Sequence, residues 1–301
     1  MRRIEPRQRY EGEFILPGDK SITHRAVMLN GSTDGESVVT NALIGEDCLS
    51  TCACLRQLGA RIDIDGTTLR IKGVDAFLQD ERLYCGNSGT TMRLLAGLLA
   101  GKGVKAMLCG DNSLSARPMK RITEPLSFLG AEITTTEGCA PLCVLPKPLY
   151  GADIQLSIAS AQVKSAILLA GLFAEGETRV TEPIKSRDHT ERMLSLMGAD
   201  IQTNGRTVAV KKSVLHAVDV CVPADISSAA YFMALGALKG KTLCKGVGIN
   251  PTRTGILHAF DKLGVRYALL NKTVVGGEEL ADILVEKSPL RAIELTAEEI
   301  P

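Results

Sequence analysis

The fold of this chain is decided by a phrase whose first copy reads Gln57-Leu58-Gly59-Ala60-Arg61-Ile62. Three more copies follow, which read Phe128-Leu129-Gly130-Ala131-Glu132-Ile133, Leu196-Met197-Gly198-Ala199-Asp200-Ile201 and, more loosely, Lys262-Leu263-Gly264-Val265-Arg266-Tyr267. Their glycines stand 71, 68 and 66 residues apart. Four copies at a nearly constant spacing predict an internal structural repeat.

Each copy has the pattern of a helix that ends at a glycine and is followed by a strand, as in the alternating segment 60–65. Glycine just past a helix takes the left-handed conformation at little steric cost. A small-residue helix, a turn and a strand precede the phrase, as in 98–104 and 172–178. The repeat therefore reads helix–strand–loop–helix–strand–strand. Because it is longer than the roughly 20–45 residues of stacked solenoids, we predict compact α/β subdomains that share buried helices.

The composition limits the kinds of partner. The 301 residues carry a net charge of +1, with 4% aromatic residues and no tryptophan, which argues against nucleic acid. No apolar run approaches the roughly 20 residues that span a bilayer, and no secretion signal is recognisable. Nine cysteines then predict a reducing cytoplasm. We expect a monomer there that binds small molecules and no membrane.

Five polar loops at predicted helix starts are the candidate site, and they span 17–25, 85–93, 110–121, 158–165 and 185–192. Ser21 and Ser160 are predicted helix caps, where free backbone N–H groups favour an anion. Arg117 precedes a proline and is biased towards extended backbone. Any one of these loops is more simply a capped helix with solvated cations. Five in equivalent positions of a repeat predict one shared anion-binding cleft.

The motifs in these loops read Pro-Gly-Asp-Lys-Ser-Ile-Thr-His-Arg, Gly-Asn-Ser-Gly-Thr-Thr-Met-Arg-Leu, Ala-Arg-Pro-Met, Ser-Ala-Gln-Val-Lys-Ser-Ala and Arg-Asp-His-Thr-Glu. In order and spacing they resemble the EPSP synthases of the enolpyruvyl transferase family, over essentially the whole chain. The last two forms are similar to the second class of these enzymes, many members of which tolerate glyphosate.

The resemblance implies a two-domain inside-out α/β barrel built from βαβαββ repeats. Domain one would span 19–222 with three repeats, and a partial domain two would comprise 1–18 plus 223–301. Residues 290–295 read as the start of a further repeat. The family's catalytic aspartate follows shortly after the match to residues 298–301, with a glutamate and further basic residues beyond it. We therefore expect an incomplete chain with little or no turnover alone.

The reaction implied by the resemblance transfers the enolpyruvyl group of phosphoenolpyruvate to the 5-hydroxyl of shikimate 3-phosphate and releases phosphate, in the biosynthesis of aromatic amino acids. It needs no metal and no organic cofactor. Both substrates are multiply anionic, so cations are required to hold two mutually repelling ligands together and to stabilise developing charge.

Residue roles are carried over by motif. Lys20 and Arg117 would act in catalysis as electrostatic groups. The implied ligands of shikimate 3-phosphate are Lys20, Ser21, Arg25, Ser160, Ala161, Gln162 and Arg187. Those of phosphoenolpyruvate are Lys20, Asn87, Gly89, Arg117 and Gln162. Ala161 stands where first-class enzymes have a second serine and offers only its backbone, and Asp47 is given a structural role.

Two alternatives remain open. The UDP-N-acetylglucosamine enolpyruvyl transferases share the implied fold, but they resemble Gly-Ala-Lys-Asn where this chain has Gly18-Asp19-Lys20-Ser21, and their reactive cysteine has no counterpart in 111–115. A non-catalytic anion-binding protein would need no further acid–base groups. An RNA-modifying relative of similar fold is disfavoured by the neutral charge.

The remaining thiols and imidazoles carry little functional signal. Cys48, Cys52 and Leu55 fall at helical spacing and are predicted to pack in the core. Cys139 and Cys143 lack the spacing common in zinc sites, so no metal is assigned. His24 is predicted to support its helix.

Overall fold

The computed structural model describes residues 9–296. The chain divides into a larger unit, Lys20–Cys221, and a smaller unit that joins Met1–Asp19 with Val222–Pro301. The segment 298–301, to which a family motif was matched, lies outside the described residues. Within 9–296, no helix combines the length and the apolar character needed to cross a membrane.

The first elements in chain order are β1 (Tyr10–Ile15), α1 (Lys20–Gly31), β2 (Gly35–Thr40), α2 (Glu46–Gln57), β3 (Arg61–Asp65) and β4 (Thr68–Gly73). Next are β5 (Glu81–Tyr84), α3 (Gly89–Gly101), β6 (Ala106–Cys109), α4 (Asn112–Ser115), α5 (Lys120–Ser127), β7 (Glu132–Thr136) and β8 (Cys139–Leu145). Then come β9 (Asp153–Gln155), α6 (Ala161–Gly171), β10 (Glu177–Thr181), α7 (His189–Leu196), β11 (Ile201–Asn204), β12 (Thr207–Lys211) and β13 (Val220–Cys221). The last are α8 (Ile226–Lys239), β14 (Gly240–Gly248), α9 (Gly255–Leu263), β15 (Arg266–Val275) and β16 (Glu278–Glu286).

The four sheets share one strand order. The larger unit contains β13-β2-β4-β3, β5-β6-β8-β7 and β9-β10-β12-β11, and the smaller unit contains β1-β14-β16-β15. In every sheet the first pair is parallel and the other two pairs are antiparallel. A parallel pair requires a crossover, and α1, α3, α6 and α8 stand in the equivalent positions. Four βαβαββ repeats confirm the predicted α/β class.

The glycines of the repeated phrase have the positive φ angles that the sequence predicts. Gly59, Gly130, Gly198 and Gly264 have φ angles of 110°, 91°, 92° and 78°. Each follows a helix and precedes a strand, and these angles are ones that side chains with a Cβ rarely adopt. Residues 290–295 form neither a helix nor a strand. The further repeat expected to start there therefore stays a prediction.

Three helices form the centre of the larger unit. Almost every residue of α1, α3 and α6 is buried, as expected for the mainly apolar α3 and α6, whereas α1 also buries polar side chains such as His24 and Arg25. The helices α3 and α6 approach so closely that a Cβ on Gly97 would lie 2.1 Å from the backbone oxygen of Ala166. The predicted sharing of buried helices is therefore confirmed. Cys48 and Cys52 are also buried core residues, as predicted.

Candidate functional site

The turn before α3 presents a polar side chain beside a capped helix start. The hydroxyl of Ser88 is buried and accepts the N–H of Thr91 at 3.1 Å, which caps α3. The neighbouring Asn87 is exposed, and its Nδ2 donates to Asp111 Oδ2 at 2.7 Å. Two hydrogen bonds hold the pKa of the Asp111 carboxyl below its ordinary value. The one from the N–H of Leu114 has the larger effect, and the one from the Asn87 amide has the next largest. Both polar atoms of the Asn87 amide are therefore held, because its Oδ1 accepts a hydrogen bond from Arg117.

Three arginines meet around this turn, and each is held by a neutral acceptor. The hydrogen bonds are Arg117 Nη2 to Asn87 Oδ1, Arg93 Nη1 to Gln162 Oε1 at 2.7 Å, and Arg121 Nη2 to Ser160 Oγ at 3.2 Å. Within the described residues none of the three guanidinium groups forms an ion pair with a carboxylate. We name Arg93, Arg117 and Arg121 the arginine cluster.

The arginine cluster concentrates positive charge that no direct ion pair among the described residues neutralises. Burial lowers the pKa of the Arg93 guanidinium, and the charges of Arg121 and Arg117 lower it further. Like charges held this close repel, so an anion placed between them is attracted by all of them. Guanidinium groups also offer paired donors that match carboxylate and phosphate oxygens. The arrangement is therefore suited to a small, multiply charged anion.

Gly89, the first residue of α3, lets two of these guanidinium groups approach the helix start. A Cβ at this position would lie 2.8 Å from Arg93 Nη1 and 3.2 Å from Arg117 Nη1. A bound anion there would meet backbone N–H groups of the first helical turn as well as the two side chains. The predicted place of Gly89 in the site thus has a steric reason.

We expect Gly89→Ala to weaken the binding of phosphoenolpyruvate, the anion that the sequence resemblance implies, by at least about tenfold, because the added Cβ displaces guanidinium donors whose charge-assisted hydrogen bonds contribute about 1.5–3 kcal/mol each. The midpoint of thermal unfolding should change little, since the displaced atoms are the ends of flexible side chains. Isothermal titration calorimetry and differential scanning calorimetry measure the two quantities. Unchanged affinity would contradict an anion site beside the start of α3.

The start of α6 joins the same cluster. Ser160 caps this helix, as predicted, and accepts the N–H of Val163 at 3.5 Å. Ala161 is the first helical residue. Gln162 connects α6 to α3, because it accepts from Arg93 and its Nε2 donates to Thr90 Oγ1 at 3.0 Å. The polar side chain of Gln162, in the first turn of α6, therefore links the starts of α6 and α3 by hydrogen bonds.

Lys20 and Asp47 add the starts of α1 and α2. Their charged groups form an ion pair, and the Lys20 side chain is 45% exposed. The backbone oxygen of Asp47 accepts the hydroxyl of Thr91 at 3.3 Å, which ties α2 to α3. The carboxylate of Asp47 is the partner that orients Lys20, and the structural role of Asp47 stays a prediction.

Arg25 is placed differently from the other predicted cations. It is only 5% exposed, and it donates to Thr190 Oγ1 at 2.6 Å, to Ser165 Oγ at 2.7 Å and to the backbone oxygen of Ser21 at 2.9 Å. The prediction that Ser21 caps α1 is wrong, because the helix begins one residue earlier, at Lys20. Arg25 instead fixes the first turn of α1 from inside the unit.

Arg187 stands on the exposed segment between β10 and α7. At the start of α7, Asp188 occupies the cap position but its side chain makes no capping hydrogen bond. This segment reaches α6 through Lys164, whose Nζ lies 3.5 Å from the backbone oxygen of Ser186. The contact places the residue before Arg187 against the helix that begins at Ala161.

The contacts bring most of the predicted residues together. One network of neighbouring residues and hydrogen bonds contains Asn87, Gly89, Arg117, Ser160, Ala161 and Gln162. Ser165 extends it to Arg25, because its hydroxyl donates to the backbone oxygen of Ala161 at 2.5 Å.

Sequence reasoning gave no role to Arg93, Arg121 or Lys164, although all three lie in the five loops. Only Lys164 carried a usable signal, as a charged residue inside an apolar helix. His24, in contrast, behaves as predicted. It is fully buried, and its Nδ1 lies 2.8 Å from Thr51 Oγ1, so it supports the packing of α1.

Four βαβαββ repeats, three of whose buried helices begin in one cluster of cations and backbone donors, define an α/β protein built to bind small anionic metabolites. The EPSP synthase (3-phosphoshikimate 1-carboxyvinyltransferase) profile matches residues 4–301. The chain belongs to the EPSP synthase family.

Named relatives are similar to this chain over nearly its whole length. It is 48% identical to the 3-phosphoshikimate 1-carboxyvinyltransferase of Geobacter metallireducens over 306 residues, which cover 99% of this chain and 71% of that protein. It is 45% identical to the Bacillus subtilis enzyme of the same name, with 98% and 71% covered. The structure of EPSP synthase from Acinetobacter baumannii superposes with a TM-score of 0.89 at 42% identity, covering 97% of this chain and 69% of that one.

Proposed function

We propose that this chain acts in the transfer of the enolpyruvyl group from phosphoenolpyruvate to the 5-hydroxyl of shikimate 3-phosphate, with release of phosphate. The reaction belongs to aromatic amino acid biosynthesis, and relatives at 45–48% identity carry its name. The observation that carries the proposal is the arginine cluster, whose three guanidinium groups are bonded to neutral partners beside two helix starts.

Phosphoenolpyruvate is proposed to bind beside the start of α3. Asn87 and Arg117 already bond each other there, and Gly89 keeps the helix start open. Arg93 belongs with them, because it contacts Gln162 and would meet any atom added to Gly89. The carboxylate and phosphate of this ligand would then replace water around groups that are already oriented, which keeps the entropic cost of ordering them low.

Shikimate 3-phosphate is proposed to bind beside the start of α6. The capped first turn, with Ser160 and the backbone of Ala161, offers donors to a phosphate, and Arg187 supplies charge from the adjacent segment. The carboxylate would lie at Ser21, whose turn is fixed by Arg25 from beneath. Gln162 lies between the two ligands, since it bridges α6 and α3.

Catalysis by these residues is proposed to be electrostatic. Lys20, oriented by Asp47 and partly exposed, supplies a cation to both ligands, and Arg117 supplies a second one. Both charges are in place before the ligands arrive, so they can stabilise negative charge that develops on the phosphoenolpyruvate oxygens. The two cations also offset the repulsion that would otherwise keep the two anions apart.

The organisation and location of the chain are part of the proposal. We assign the larger unit to the family's first domain, 19–222, and the smaller unit to part of its second. All nine cysteines are free thiols, which suits a cytoplasmic protein. We propose that the chain is a monomer, and sedimentation velocity measures this directly.

The binding test compares two arginine variants. We expect Arg117→Met to weaken phosphoenolpyruvate binding at least about tenfold, because a charge-assisted hydrogen bond contributes about 1.5–3 kcal/mol. Arg61→Met is the matched control, since this side chain is 77% exposed on β3 and pairs with Asp63. Calorimetric titration in the presence of shikimate 3-phosphate measures both variants.

The same titrations separate the competing functions. Binding of shikimate 3-phosphate and phosphoenolpyruvate to the unaltered chain supports the proposal. Binding of UDP-N-acetylglucosamine in place of shikimate 3-phosphate would assign the chain to the other enolpyruvyl transferases. Equal losses in the Arg117 and Arg61 variants would show that the arginine cluster is not the anion site.

A further inference from the structure

A buried group of three charges lies beside the segment that carries Arg187. Lys164, on α6, is 1% exposed, and its Nζ lies 2.8 Å from Glu182 Oε2 and 2.7 Å from Glu191 Oε1. Glu182 directly follows β10, and Glu191 lies in the first turn of α7. We name these three residues the Lys164 triad. Buried ion groups are often no more stabilising than apolar residues of equal volume, so stability alone does not account for the triad.

The triad also bonds the backbone next to Arg187. Glu182 Oε2 accepts the N–H of Ser186 at 3.2 Å, and Lys164 Nζ lies 3.5 Å from the oxygen of the same residue. Residues 183–187 are part of neither a helix nor a strand, so their backbone groups need other partners. Ser186 is thus fixed at both its N–H and its carbonyl group.

A second anchor lies on the other side of Arg187. Thr190 Oγ1 accepts from Arg25 Nε at 2.6 Å and lies 2.6 Å from Ser165 Oγ. Ser165 is the neighbour of Lys164 on α6, so one turn of this helix fixes residues 186 and 190. The backbone of Arg187 is bracketed between these two points.

We propose that Glu182 and Lys164 are positioning residues that hold the backbone of 186–187 against α6 and so place the Arg187 guanidinium on the 3-phosphate of shikimate 3-phosphate. The inference rests on the proposed function. A guanidinium gives two aligned donors to a phosphate only when the backbone that carries it is held in place. Glu191 shares the cation but has no described bond to the backbone of 186–187, so it holds the start of α7 and not Ser186.

The experiment compares Glu182→Leu with Glu191→Leu. Either change leaves Lys164 with one carboxylate, so both variants keep a paired cation and similar stability. We expect Glu182→Leu to raise the dissociation constant of shikimate 3-phosphate at least about tenfold, because a guanidinium that is no longer aligned loses charge-assisted hydrogen bonds to the phosphate. Glu191→Leu should change it less than about twofold. Glu182→Gln should restore most of the affinity, since its amide oxygen can still accept the N–H of Ser186.

Two further readouts make the test decisive. Amide hydrogen exchange at Ser186, measured by nuclear magnetic resonance, should be faster in Glu182→Leu and unchanged in Glu191→Leu. If the leucine variant does not fold, Ser186→Pro deletes the same N–H with all three charges intact and carries the same expectation for affinity. Equal affinities of the Glu182 and Glu191 variants would overturn the inference. Absence of binding to the unaltered chain would instead overturn the proposed function.

Discussion

Replacing Lys164 with methionine is expected to lower the free energy of unfolding by about 3–5 kcal/mol at neutral pH, because the two carboxylates that share its charge stay buried without a cation. Methionine has nearly the volume of the lysine stem, so the loss reports the charge and not a cavity. Urea unfolding followed by circular dichroism measures it. We expect this to be the most destabilising single substitution of a charged residue in the larger unit.

The loss should depend on pH in one direction. Burial already raises the pKa of Glu191, and the charge of Lys164 opposes this effect. Without Lys164 that pKa rises further. The unfolded chain then releases its protons at a lower pH than the folded chain does, so stability falls as pH rises from the ordinary glutamate value of 4.5 through the raised folded value. The destabilisation should be larger at pH 8 than at pH 5.

Lys185→Met is the control, because this lysine lies in segment 182–188 but its side chain is 47% exposed. Its Nζ lies 3.9 Å from Asp188 Oδ2. Exposed ion pairs contribute about 0–1 kcal/mol, so the control should change stability little at either pH. A Lys164→Met variant as stable as the control at pH 8 would mean that the carboxylates find other partners. The positioning proposed for Arg187 would then lose its structural basis.

Gly97→Ala is expected to lower the free energy of unfolding by about 3 kcal/mol, the upper end of the usual penalty for overpacking. The added Cβ would lie 2.1 Å from the backbone oxygen of Ala166, and a backbone atom inside a buried helix pair cannot move aside as a side chain can. The helices α3 and α6 must separate instead. Because Gln162 joins Arg93 across this interface, affinity for both ligands should also fall.

The control for this change is Gly45→Ala. A Cβ there would meet only the Leu43 side chain, at 3.7 Å, which is an ordinary contact distance. Gly45 precedes α2 and has φ of −109°, so alanine fits its backbone. Thermal unfolding should therefore shift for Gly97→Ala alone. Equal midpoints for the two variants would show that α3 and α6 have room to repack.

The sequence predicts the local features of the fold because they depend on neighbours along the chain. A glycine past a helix end gives the same left-handed turn at Gly59, Gly130 and Gly198, whatever surrounds it. The cap at Ser160 follows for the same reason, since a cap acts on the next three residues. The cap at Ser21 fails, because its helix begins one residue early.

The candidate site is only partly readable from sequence. Motif resemblance named Asn87, Arg117 and Gln162, and the contacts join them in one network. It gave no role to Arg93, because an arginine in a helix has the same local appearance whether it faces solvent or a second helix. The burial of Arg25 could not be predicted from sequence either, because its partners Ser165 and Thr190 lie 140 and 165 residues away along the chain.

The sequence by itself determined the fourfold repeat, the α/β class and the loops that form the candidate site, since each follows from the order and spacing of nearby residues. Tertiary structure alone decided that β13 completes the first sheet, that Gln162 bridges to Arg93, and that Lys164 is shared by Glu182 and Glu191. These pairings join segments 18 to about 180 residues apart. They depend on which helices pack together, and packing is a property of the whole folded unit.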